Sequence, residues 1–142
     1  MNSGRGLFTV VCVFVVFLGS VPAFAGGMAE KKAVEASAAW LKLVDDGHYA
    51  KSWDTAAAFF RNAVSREQWI RSLDAVREPL GKVLKRSLIS QRYAKSLPGA
   101  PDGEYVVIQY QTSFKNKQSA TETITPTLDK DGKWRVSGYY IR

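Results

Sequence analysis

At Gly81 the spacing of apolar residues changes from a period near 3.6 to a period of 2. A chain with this switch makes helices first and strands afterwards, so the two kinds of element must pack on one another as layers. Upstream, Ala33, Ser37, Trp40, Leu41 and Val44 recur at helical spacing within residues 29–46, and Gly47 offers a left-handed stop. Tyr49, Trp53, Ala56, Ala57, Phe60 and Val64 then form one continuous face, which predicts a second helix over 49–64. Ser65 and Gln68 stand at capping-box spacing, and Trp69, Leu73, Val76 and Leu80 carry a third helix to Pro79 and Gly81.

Downstream, residues 83–95 read as a strand and 96–103 (SLPGAPDG) as a turn cluster. Over 105–114, Val106, Ile108, Tyr110, Thr112 and Phe114 alternate with Gln109, Gln111 and Ser113. Over 119–128, Ala120, Glu122, Ile124 and Leu128 take one side and Thr121, Thr123, Thr125 and Thr127 the other. Asp131-Gly132 is a hairpin signal, and Trp134, Val136, Gly138 and Tyr140 share a face of the last strand. Short links between consecutive strands predict an antiparallel sheet with the helices over its apolar face. The fold class is α+β: three N-terminal helices on a curved four-stranded sheet.

Residues 1–25 have the pattern of a secretory signal peptide: Arg5, an uncharged apolar run over 7–18 (LFTVVCVFVVFL), then Ala23-Phe24-Ala25 as a small-x-small cleavage site. The run rises about 18 Å as a helix, short of a hydrocarbon core of about 30 Å. The expected mature domain is 26–142, exported, most simply to the periplasm, with release from the cell as the alternative and no stable membrane insertion. The single Cys, Cys12, lies inside the leader, so no disulfide or multi-cysteine metal site is expected in the mature chain.

The formal net charge is +7, with Lys and Arg interleaved with acids over much of the chain. This suits a soluble basic domain or a binder of anionic envelope polymers. No nucleic-acid motif accompanies the basic stretch 82–95, and nucleic acid is set aside as a partner. His48 is the only imidazole and lies beside the cap glycine, so neither a metal site nor a His-activated nucleophile is expected. No cofactor is expected.

Several stretches carry a resemblance: residues 40–45 (WLKLVD), 47–53 (GHYAKSW), 77–81 (REPLG), 97–105 (LPGAPDGEY), 122–125 (ETIT) and 131–140 (DGKWRVSGYY). They resemble a secreted bacterial family, domain-of-unknown-function family 4019. The order of elements resembles the cone-shaped nuclear-transport-factor-like and cystatin-like folds. That resemblance implies a cone-shaped domain in the cell envelope and supplies no catalytic residue. Ketosteroid-isomerase-like enzymes of the broader fold place an acid or a histidine inside the cone.

A cone implies a cavity suited to an apolar ligand. Trp53, Trp69, Tyr110, Glu122, Trp134 and Tyr140 are the candidate lining residues, with ordinary core packing as the alternative. Glu122 is the candidate general acid/base, since a desolvated carboxylate on an apolar face is tuned for proton transfer. The alternative is a structural ion pair with Arg77 or Arg86. On the opposite face, Gln109, Gln111, Thr121, Thr123, Thr125 and Tyr139 are candidates for a homodimer or partner interface. The expectation is a non-catalytic exported binding or interaction module, taking a small apolar ligand or an envelope protein. A cofactor-free enzyme using Glu122, with Tyr110 or Tyr140 assisting, and a cationic polymer binder are the alternatives.

Overall fold

The computed structural model describes residues 23–142, with side chains from Gly26 onward. The expected signal peptide lies almost wholly outside the described residues. The first helix, α1 (Ala23–Asp45), already includes the expected cleavage point after Ala25. It buries Ala29, Ala33, Ser37, Trp40, Leu41 and Val44, one apolar stripe at helical spacing, and packs against all four strands. It ends in a Schellman turn: Gly47 has φ +77, its N–H donates to the Val44 carbonyl, and the His48 N–H donates to that of Leu43.

The segment expected as one helix over 49–64 is two short helices, α2 (Tyr49–Asp54) and α3 (Ala58–Ala63), so the described chain has four helices rather than three. The break has two local causes. Thr55 Oγ1 donates back to the Lys51 carbonyl at 2.9 Å, a bond that competes with the helical ladder. Ala57 is extended, and its N–H goes to the Val136 carbonyl of the last strand at 2.8 Å instead of to its own helix. The apolar face survives the break, because Ala56, Ala57 and Phe60 remain buried.

Next, α4 (Arg66–Leu80) begins with the expected capping box, each of Ser65 and Gln68 accepting from the other's backbone N–H at 3.2 Å. It ends at Pro79 and at Gly81, which has φ +72 and whose missing Cβ would meet Lys115 and Asn116 at 3.2 Å. The Asn116 backbone N–H and side-chain amide donate to the last carbonyls, those of Leu80 and Pro79.

The strands β1 (Val83–Ala94), β2 (Tyr105–Phe114), β3 (Lys117–Leu128) and β4 (Trp134–Ile141) form one open antiparallel sheet in the order β1-β2-β3-β4. Ile108 and Val136 are buried against the helices, as the predicted layering requires. One register feature reverses an expectation. Thr125 pairs with Gly138 but Pro126 with Val136, so Ser137 is an extra, bulged residue. Pro126 has no N–H to give the ladder, and Ser137 Oγ bonds the Thr125 carbonyl at 2.8 Å instead. Beyond the bulge the alternation inverts. Tyr139, expected outside, packs into the core edge-on to Trp40, while Tyr140, expected inside, stands on the outer face and is 48% exposed.

Candidate functional site

Polar side chains from six elements meet on the inner face of the sheet. Glu122 projects inward from β3 with Ala120 and Ile124 and is 0% exposed. Arg86 on β1 grips it through Nε at 2.7 Å and Nη2 at 3.2 Å. The hydroxyl of Thr112 on β2 donates to Glu122 Oε1, and that of Tyr139 on β4 donates to Oε2. The other end of the Arg86 guanidinium holds Asp45, the last residue of α1, at 2.7 and 3.0 Å. Arg77 of α4 donates to Asp45 at 2.8 Å and to the Tyr139 oxygen at 3.4 Å. The chain of bonds therefore closes into a ring: Glu122, Arg86, Asp45, Arg77, Tyr139 and back to Glu122.

Two guanidinium groups face two carboxylates, so the ring carries no net charge. Burial alone would push the Asp45 carboxyl up, but hydrogen bonds from Arg86 and Arg77 and their charges hold it below the ordinary range. Burial pushes the Tyr139 hydroxyl well above the usual tyrosine range, and the neighbouring Glu122 charge adds to it. Burial works against the charged form of Arg86, and Asp45 and Glu122 more than reverse that, leaving its guanidinium more firmly protonated than usual. Arg77, 5% exposed, also lies over the Phe114 ring at 5.2 Å, and its buried Nε has no hydrogen-bond partner among the described residues.

Each Glu122 oxygen already accepts two hydrogen bonds, one from Arg86 and one from a hydroxyl. A general base must reach its substrate's proton within hydrogen-bond distance, and here the lone pairs are committed and solvent is excluded. Sequence reasoning had placed Glu122 inward and named Arg77 and Arg86 as its alternative partners. It missed Asp45 and Tyr139. The Asp45 position was signalled only by its place just before the Gly47 stop.

The candidate lining residues do not converge on one space. Tyr110 and Trp69 belong to the core, and Trp53 and Trp134 pack half-buried against it. Indole N–H groups are anchored locally: Trp53 to the Val64 carbonyl at 2.7 Å, Trp40 to that of Ser52 at 2.8 Å, and Trp69 to Ser52 Oγ at 2.9 Å. Trp69 and Tyr140 do share a cleft of about 180 Å³ between α4 and the end of β4, with Leu73, Val76 and Ile141. A wider open groove of about 670 Å³ runs between Phe59 and Arg61 on one side and Tyr105, Asp129 and Arg135 on the other. At its rim Arg135 bonds Asp129 and Asp131, and it lowers the Asp131 carboxyl to about 2.

On the outer face, Gln109, Gln111, Thr121, Thr123 and Thr125 lie together as expected, and Tyr140 takes the place foreseen for Tyr139. Among the described residues no group of three or more His, Cys, Asp or Glu side chains is placed to hold a metal ion. No described helix is long and apolar enough to cross a membrane.

Comparison with known proteins agrees with this architecture. A solved structure from Catenulispora acidiphila, at 14% identity, aligns with a TM-score of 0.54 over 82% of this chain and 91% of its own, a likeness of fold alone. No curated protein matches the sequence. The model of a family described as "Protein of unknown function (DUF4019)" matches residues 36–139, most of the domain, and the chain belongs to that family.

Proposed function

We propose that this protein is an exported, non-catalytic interaction module, and that its partners are met on the outside of the fold. The observation that carries this reading is the saturation of Glu122, the candidate acid/base, by Arg86, Thr112 and Tyr139, with the Glu122 carboxylate itself fully buried. A carboxylate held this way fixes strands to one another and to α1; it has no lone pair left for a substrate. The export address rests on the apolar leader and the Ala23-Phe24-Ala25 site. The cone-shaped arrangement is the one we infer for the helices over the inner face.

The test is native mass spectrometry of the wild type and of Glu122→Gln, each purified from the cells that make it. Both are expected to show the same adducts and partners, with the variant unfolding at lower urea concentration. A small molecule held by the wild type and lost from the folded variant would place a working site in the interior and overturn the reading.

A further inference from the structure

We propose that the outer face of the sheet docks a strand of acidic polysaccharide; the inference rests on the reading of the protein as an interaction module. The register aligns side chains on this face into rows that cross all four strands. Ser87, Gln111, Thr121 and Arg142 are successive neighbours in one row. Ser90, Gln109, Thr123 and Tyr140 form the next. These are hydroxyls, amides and one exposed phenol, a plane of donors and acceptors suited to sugar hydroxyls. In the middle of the second row the Thr123 hydroxyl, buried between Gln109 and Tyr140, has no hydrogen-bond partner among the described residues.

Charge decides the kind of polymer. The four strands contain a single carboxylate, Glu122, and it points to the other face. Lys85 and Arg92 flank the rows on β1, where they pair with the outward residues Ser113 and Val107. Arg142 closes the first row, its guanidinium over the Tyr140 ring at 5.2 Å. None of the three is in an ion pair among the described residues. Asp129 and Asp131, at the turn beyond β3, are held by Arg135; unspent cations on strands with no outward acid draw and hold an anionic partner. From Lys85 to Arg92 the strand extends about 23 Å at about 3.3 Å per residue, a length for an oligomer and not for a single ion.

A second copy of the same face fits poorly. It would add three more unpaired cations to the same plane with no outward acid on the strands to answer them, and like charge gathered in an interface is costly.

The experiment measures binding of the full protein to polygalacturonate, with neutral dextran as reference, at low salt and near 0.15 M. Two triple variants are compared: Lys85→Gln, Arg92→Gln, Arg142→Gln on the face, and Lys31→Gln, Lys32→Gln, Arg71→Gln on exposed helix positions. The expected result is binding that weakens with salt, as charge screening requires, and falls about tenfold or more only in the face variant. Glu122→Gln is expected to keep its polymer binding where it stays folded, which separates this site from the interior. Equal losses in the two triples, or no wild-type binding at low salt, would overturn the proposal. So would tighter binding to phosphatidylglycerol vesicles that the face variant loses, or a wild-type dimer that the face variant dissolves.

Discussion

Lys85 and Arg86 are adjacent in β1, yet the two faces of the sheet give them opposite surroundings. Arg86 turns inward, meets two carboxylates and has its N–H groups engaged. Lys85 turns outward onto a face without a carboxylate on any strand. The inner face ties charge into a neutral ring of paired groups, and the outer face leaves it unpaired. The comparison teaches that residue type alone says little here about what a cation does. The alternation of the strand assigns the role, one position at a time.

The strongest way to break the contrast is Arg86→Ala. It strands Glu122 without its counter-ion in a dry site, and removing one partner of a buried pair costs about 3–5 kcal/mol. Urea unfolding checks this, and a loss of less than about 1 kcal/mol would mean that the ring is not a structural unit. Replacing both partners together, Arg86→Met with Glu122→Leu, is expected to recover most of that loss, because no charge is then left unpaired.

A smaller effect lies in pH. Asp45 is held below its unfolded value of about 4, so its contribution is present above that value and is lost as pH falls through the lower native one. Tyr139 is held above its unfolded value of about 10, so its contribution is full below that pH and is lost as pH rises beyond it. Stability measured against pH is expected to show a plateau with a fall on each side, and Tyr139→Phe is expected to soften the alkaline fall. An unchanged alkaline limb in that variant would take Tyr139 out of the ring. The smallest effect belongs to the outer face: Lys85→Gln with Arg92→Gln is expected to move stability by no more than about 0.5 kcal/mol. A larger loss would show that those cations are also structurally committed.

Much of this frame was legible in the sequence because local chemistry wrote it. The change of period at Gly81 announced helices before strands, Gly47 announced the end of α1, and Ser65 with Gln68 announced the start of α4. Glu122, Ile108 and Val136 were assigned inward by simple alternation, and each is buried. What was not legible depends on partners distant in sequence. The break at Ala57 needs the Val136 carbonyl. The exchange of Tyr139 and Tyr140 needs a bulge at Ser137 opposite Pro126, and a proline in an apparent strand was the one local hint. The choice of Asp45 as the second carboxylate came from the packing of α1 across the sheet, which no spacing rule describes.

The bond between the Ala57 N–H and the Val136 carbonyl has a consequence for assembly. It occupies a backbone acceptor on the free side of β4 and lays the start of α3 along that margin. At the opposite margin β1 is long and solvent-exposed, interrupted by irregularities near Leu84 and Ile89. Growth of this sheet by addition of a foreign strand is therefore lopsided: one border is guarded by the chain's own main chain, and the other, where Glu30 takes the Tyr93 N–H, relies elsewhere on kinks and charge to stay single.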